Sequence, residues 1–170
     1  PQGGQILRTD DGELLGCLTD NAAVMVINII PAWSAEEQKN AILMAQEELF
    51  SYGFTSAMDA GTKVNYLQHY EDLYESGELK LRIYAMPLIS STDSAEADYI
   101  RENGPVSGLY DDHLSILGVK VLGDGALGSR GSALLEDYSD APGTKGEYRF
   151  TDEQMYEAVK LAYDNGYQTG

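Results

Sequence analysis

One lysine stands where only a purpose would keep it. In "GVKVLGDGALGSRGSALL", residues 118–135, Lys120 interrupts an apolar β-type run and Asp124 follows in a glycine-rich turn. An ammonium group in a buried strand must be paired, neutralised or put to chemical use, because desolvating a lone charge is costly. Three uses suit the residue type: a Schiff-base nucleophile, a cationic clamp on a substrate, or a lysine carbamylated by carbon dioxide that serves as a metal-bridging carboxylate. The structural alternative is an ion pair with Asp59 or Asp124, and periodicity alone leaves these readings open. Alternation places Val119 and Val121 on one side of the strand and Lys120, Leu122 and Asp124 on the other.

Other chemistry-bearing residues gather nearby in sequence. Ser129 and Arg130 lie in the same glycine-rich loop, where Arg130 can hold a substrate carboxylate or pair with Asp124 or Glu136. Gly125 and Gly128 are expected to supply backbone conformations closed to other residues. A phosphate cradle is excluded: "GDGALGSRG" lacks the lysine and hydroxyl of G-x-x-x-x-G-K-[ST], and Asp124 would repel phosphate. Asp59 closes the run "FTSAMDAG" and is read first as a hydrogen-bonding partner of neighbouring loops, with catalysis as the alternative. His69 is expected exposed on a helix. His113 precedes a strand at the end away from an active face and is discounted as a ligand. Cys17 is the only cysteine, which rules out an intramolecular disulfide and a cysteine-based zinc cluster, and it is read as structural. The scattered tyrosines suit core or rim packing.

These residues need elements to hold them. Ser34 and Glu37 form an S-x-x-E capping box, apolar positions recur at Ile42, Ala45 and Leu49, and Gly53 stands where a helix should stop. "FTSAMDAG" then reads as a buried strand, and Val64, Leu67, Tyr70 and Tyr74 as the stripe of a helix over residues 63–76 closed by Gly77. "LKLRIYAMPLI" is the next strand. Asp93 and Glu96 suggest a capped helix to about Asn103, and "LSILGVKVLGDG" a further strand. After a long loop from Ala126 to about Phe150, Thr151 and Gln154 open a helix with the face Met155, Val159 and Ala162, and "GYQTG" begins another strand. The first thirty or so residues read as loop and short strand punctuated by Gly3, Gly4, Gly12 and Gly16, and "AVMVINII" fits a strand or a short helix equally. Short apolar strands alternating with helices argue for an α/β fold of parallel βα units with both sheet faces covered. Function in such folds sits at the C-terminal ends of strands, which is where Asp59, Lys120 and Asp124 fall.

Composition bounds the partners. A chain of 170 residues with 43% apolar and 23% charged residues can bury a core unaided, and no low-complexity linker divides it. Its 28 acidic against 11 basic side chains, net −17, would repel nucleic acid and anionic membranes. No apolar segment reaches the roughly 20 residues that span a bilayer, and no signal peptide is visible, so a cytoplasmic location is expected. The chain starts at Pro1 and stops at "NGYQTG", where an element is beginning, and is read as a piece of a longer protein.

Three stretches together carry a resemblance. "GVKVLGDGALGSRGSALL", continuing through "EDYSDAPGTKG", resembles V-K-x-x-x-D-G-[AS]-L-G-S-R-x-A-x-L…Y-x-D of amidohydrolase family 3, the YtcJ-like metal-dependent hydrolases. "GGQILRTDDGELLGCL" and "EELFSYGFTSAMDAG" are similar to two further stretches of that family, in the same order. Leu14-Leu15 replaces a common Pro-Thr and Leu122-Gly123 a common Phe-Ala, neither touching a polar role. The resemblance implies part of an incomplete (β/α)8 TIM-type barrel. Residues 1–33 would be a substrate-side N-terminal segment, and residues 34–170 would span about strands two to four and the start of strand five. It also implies one or two divalent metals, zinc first, held by a His-x-His, a lysine of the fourth strand, further histidines and an aspartate. Counting "FTSAMDAG" as strand two puts Lys120 in the lysine's place, with Asp124, Ser129, Arg130 and Asp59 on the substrate side or around the metal ligands. No His-x-His exists here, so this piece is expected to hold no metal, to keep Lys120 as a free amine and to be inactive alone. The parent is implied to hydrolyse amide-type C–N bonds of small molecules through a metal-activated water. The unpaired strand edges of a partial barrel suggest a homo-oligomer. The alternatives are a non-catalytic acidic α/β binding module and a Schiff-base lyase using Lys120.

Overall fold

A computed structural model describes residues 4–170, the side chains of residues 20 and 21 aside. Gly3, the first glycine of the "GGQIL" stretch, lies outside the described residues. The chain forms two compact units: Pro1–Ala32 with Leu122–Thr151, and Trp33–Val121 with Asp152–Gly170.

In the first unit β1 (Ile6–Arg8) and β2 (Leu14–Leu18) make an antiparallel hairpin, turned at Gly12 with φ +90°. The undecided apolar stretch is a helix, α1 (Asp20–Ile27), whose Val24, Met25, Val26 and Ile27 are all exposed. Residues 122–150 form a compact loop around a 3-10 turn at Leu127–Ser129.

The second unit opens with α2 (Ala35–Ser51), and its cap is the one the spacing implied. The Glu37 amide donates to Ser34 Oγ at 3.2 Å, the Ser34 amide donates to Glu37 Oε2 at 2.8 Å, and Gly53 adopts φ +81° beyond the last turn. There follow β3 (Ser56–Thr62), α3 (Val64–Glu75), β4 (Arg82–Ile89), α4 (Ala95–Glu102), β5 (Val106–Gly108), a short turn α5 (Leu109–Asp112), β6 (Leu114–Ile116), β7 (Gly118–Val121), α6 (Asp152–Asp164) and β8 (Gln168–Thr169). Ser94, not Asp93, caps α4, accepting from the Ala97 amide at 3.2 Å. Helix α6 buries Ala158 and Ala162 while Val159 is 37% exposed, so its inner face is rotated from the expected stripe and small residues let it approach β7.

The sheet is parallel-rich: β3, β6 and β7 pair with β4, and β8 with β7, all parallel, while β5 alone runs antiparallel, to β6. The expected strand "LSILGVKVLGDG" is interrupted at Leu117 into β6 and β7. The register against β4 slips by one residue there, since Leu114 faces Ile83 whereas Lys120 faces Leu88. A one-residue slip exchanges the faces of a strand, which is why Leu114 and Ile116 before the break, and Val119 and Val121 after it, are all buried. Ile83, Ala85 and Ile89 of β4 join them, packed with Leu67, Tyr70 and Leu73 of α3 and with Ala97 and Ile100 of α4. The opposite face carries Met58, 63% exposed, and the half-buried Tyr84, Leu88 and Lys120. Among the described residues of this unit, helices thus cover one face, not both. On the open face Tyr84 reaches across β7 to Gln168 Oε1 at 3.3 Å, and Gly118 makes room for it, because a Cβ there would lie 3.1 Å from Tyr84 Oη.

Three consecutive non-glycine residues, Tyr110, Asp111 and Asp112, have φ of 52°, 59° and 63°. Left-handed backbone costs such residues about 1–2 kcal/mol each. The turn is held by Tyr110 stacked on Tyr74, ring centroids 5.3 Å apart, and by the His113 amide donating to Leu109 O at 3.0 Å. No helix among the described residues is long and apolar enough to cross a membrane.

Candidate functional site

At the C-terminal ends of the parallel strands, Lys120 is the residue before the last of β7. It is half-buried, on the open face with Leu88 as its cross-strand neighbour. Its amine makes no ion pair and no hydrogen bond among the described residues. The structural pairing with Asp59 or Asp124 is therefore not formed, and both carboxylates are occupied otherwise.

Asp59 sits opposite Ala85, on the helix side of the sheet. Its Oδ2 accepts from Tyr70 Oη of α3 at 2.8 Å and from Thr62 Oγ1 at 2.7 Å. Thr62 reaches it because β3 bulges at Gly61, φ +145°, so that Ala60 pairs with Met86 but Thr62 with Pro87. The bulge rotates the strand end and turns the Thr62 hydroxyl to the carboxylate's side. Burial, then the Asp59 charge, push the Tyr70 phenol far above its ordinary pKa. The cluster fastens α3 to the strand end.

In the first unit, Asp124 Oδ2 accepts from Ser132 Oγ at 2.6 Å and from the Ala133 amide at 3.0 Å, and these two donors, the hydroxyl first, hold the carboxyl below its usual pKa. Arg130 makes a two-pronged contact with Asp140, at 3.2 and 2.8 Å, and not with Asp124 or Glu136. The hydrogen bond and the charge raise the guanidinium pKa and lower that of Asp140. Ser129 Oγ donates to the Ala126 carbonyl at 3.2 Å. Gly125 is required by proximity and not by φ: a Cβ would lie 2.7 Å from Gly131 O. Gly128 meets neither condition.

His69, expected at the surface, is 8% exposed; Nε2 lies 2.9 Å from Gln38 Oε1, so α2 covers it. The polar Gln38 on a facing helix hid this from a reading of the α3 stripe alone. His113 stands just before β6, at the N-terminal end of the strands, and Cys17 is exposed. The sequence reading missed Thr62, Ser132 and Asp140. A glycine inside a strand is a bulge signal that could have found Thr62, whereas nothing in the spacing marks Asp140.

Among the described residues no group of three or more His, Cys, Asp or Glu side chains converges as a metal ligand set. One amine is not a metal site, because affinity needs several converged ligands. These residues do not by themselves fit a metal, and no catalytic step through one follows from them.

A parallel-rich α/β sheet with an uncommitted lysine at its strand ends has a family. The chain matches the family model described as "Amidohydrolase family" over residues 1–170, and it belongs to that family. It is 26% identical over 171 residues to YtcJ of Bacillus subtilis (strain 168), an amidohydrolase by name, covering 98% of this chain and 31% of that protein. It is 28% identical over 177 residues to the protein LONG AFTER FAR-RED 3 of Arabidopsis thaliana, covering 99% and 30%. Among solved structures it is similar to an uncharacterized metal-dependent hydrolase from Pyrococcus furiosus, with TM-score 0.70 and 27% identity over 94% of this chain and 33% of that one. The chain thus spans about a third of the length of the relatives it matches.

Proposed function

We propose that this chain is the part of a metal-dependent amidohydrolase that carries strands two to four and the start of strand five of a (β/α)8 barrel, and that Lys120 is one of its metal ligands, carbamylated when the metal is bound. The reading is supported chiefly by the placement of Lys120, at a strand's C-terminal end, half-buried, off the helix-covered face and without a partner among the described residues. Lys120 would be one of the residues holding the metal, zinc on this reading, and the metal would supply a water that is nucleophilic near neutral pH. This chain contributes the position of one ligand and the frame behind it: Asp59 ties α3 to the end of β3, and Asp124 and Arg130 shape the loop that follows β7 on the substrate side. Alone it is inactive, its Lys120 a free amine, and it self-associates through the edge of β3 or the C-terminal strand, which cover their unpaired backbone groups that way.

The test is Lys120→Met in a polypeptide as long as the relatives, assayed by elemental metal analysis and hydrolysis of a panel of small amides. The loss should exceed the roughly 10–100-fold that removal of an outer hydrogen-bond partner of a metal ligand causes. Full metal content and turnover in the variant would refute the assignment. For the 170-residue chain, intact mass should show no carbon dioxide adduct and light scattering should show a dimer or larger.

A further inference from the structure

Two asparagine–glycine pairs close two helices of the second unit: Asn103–Gly104 follows α4 and Asn165–Gly166 follows α6. They lie side by side, since a Cβ on Gly166 would stand 3.6 Å from Pro105 Cγ. Their side chains are held alike: Asn103 Nδ2 donates to the Tyr99 carbonyl at 2.9 Å and Asn165 Nδ2 to the Leu161 carbonyl at 2.8 Å, each one helical turn back. The backbone amides that follow them differ. Gly166 takes φ +81° and its N–H donates to the Tyr163 carbonyl at 3.0 Å, whereas Gly104 is exposed and its N–H has no acceptor among the described residues.

A free amide in that position is the nucleophile of a reaction that needs only water. Gly104 N attacks Asn103 Cγ; the N–Cγ bond forms, the Cγ–Nδ2 bond breaks, and Nδ2 leaves as ammonia with the proton that Gly104 N gives up. Water then opens the five-membered imide, at Cγ to give aspartate or at the Asn103 main-chain carbonyl to give isoaspartate, and nothing is oxidised or reduced. Glycine has no side chain to obstruct the approach and turns with little steric penalty. The extended backbone of Asn103, ψ 134°, has to rotate before the two atoms meet. That rotation breaks no backbone hydrogen bond at Gly104 and breaks one at Gly166.

We propose that Asn103–Gly104 is a self-modifying site, converted by water to aspartate and isoaspartate in the folded chain ahead of Asn165–Gly166. The consequence is local and specific. The Asn103 carbonyl accepts from Tyr167 Oη at 2.9 Å, and Tyr167, the residue before β8, is 5% exposed, so this bond ties the end of α4 to the last strand. Isoaspartate turns that carbonyl into a carboxylate branch, lengthens the main chain before Pro105 by a methylene group and takes the Nδ2 donor from the Tyr99 carbonyl. The new negative charge falls at a helix C-terminus, where the dipole disfavours it. The site does not involve Lys120 and stands or falls separately from the metal assignment.

The test incubates the full chain in mildly alkaline buffer, with and without urea, and follows both asparagines by peptide mass spectrometry with fragmentation that tells isoaspartate from aspartate. In the folded chain Asn103 should react about two- to tenfold faster than Asn165, the factor that one backbone hydrogen bond is worth. In urea the two should react alike. Gly104→Ala, whose Cβ would meet nothing within 4 Å and which needs no positive φ, should fold and slow Asn103 alone. In the modified protein the ring signals of Tyr167 should shift while those of Tyr74 stay. The proposal is overturned if Asn165 keeps pace with Asn103 in the folded chain, if Gly104→Ala reacts at the parental rate, or if the Tyr167 ring does not respond. Should Gly104→Ala fail to fold, the comparison of the two asparagines in the unaltered chain decides.

Discussion

Replacing Lys120 by methionine in the 170-residue chain separates a lysine kept for chemistry from one kept for structure. Methionine preserves an unbranched stem beside Leu88 and removes only the ammonium group. Were Lys120 half of a buried ion pair, its loss would strand the partner carboxylate and cost about 3–5 kcal/mol. No such partner exists among the described residues, since Asp59 is satisfied by Tyr70 and Thr62, and Asp124 by Ser132 and Ala133. What disappears is a partly desolvated, unpaired cation, so stability should hold or rise, by up to about 2 kcal/mol, as is common when a functional group is removed. For a chain of this size each kcal/mol moves Tm by about 2–4 °C, so the expected rise lies between zero and about 8 °C. Urea unfolding followed by far-UV circular dichroism at pH 7, with wild type and variant sharing one slope, gives the difference directly. A loss of more than about 1 kcal/mol would mean that the ammonium group supports the fold, and Lys120 would then be a structural residue and not a metal ligand.

Three further outcomes are expected. Tyr70→Phe keeps the ring and deletes the 2.8 Å hydrogen bond to Asp59 Oδ2, which should cost about 1.5–3 kcal/mol in denaturant unfolding; a change within error would remove Asp59 as the anchor of α3. Burial raises the phenols of Tyr70 and Tyr74 far above the usual value and pushes Tyr167 up to about 12. Folded values above unfolded ones mean their contribution is complete below the unfolded pKa of about 10 and lost as pH climbs through the folded values. Unfolding free energy should therefore decline from about pH 10 upward, and a flat alkaline limb would contradict the burial of these rings. Asp124→Ala removes the acceptor of the Ala133 amide, so hydrogen exchange at Ala133 should accelerate at neutral pH. In wild type the depressed Asp124 pKa means the same protection is present above the ordinary carboxylate range and fades as pH falls through the folded value. Unchanged exchange in the variant would show that the carboxylate does not hold the loop.

The parts of this molecule that a linear reading reached are those whose cause is local. Ser34 and Glu37 lie three residues apart and meet within one helical turn, Gly53 and Gly77 take up positive φ just past their helices, and the strands around Met58, Tyr84 and Val119 announce themselves by side-chain type. The family was legible for a related reason: the glycine-rich turns and the Lys120–Asp124 spacing lie within one contiguous stretch of sequence. The placement of Lys120 opposite Val119 and Val121 also follows from alternation within one short strand.

What stayed hidden depends on residues far apart in the chain arriving beside one another. Arg130 had two carboxylates nearer in sequence than the Asp140 it binds, His69 was judged by its own helix and is buried by Gln38 of another, and the stripe of α6 is rotated because alanines let that helix settle closer to the sheet. The one-residue slips at Gly61 and near Leu117 matter most, because each exchanges the faces of a strand end and so decides which side chains meet. A strand's own pattern states only that alternate residues face opposite ways. Which way is settled by pairing with β4, a choice made by the packing free energy of the whole sheet and written in no single segment.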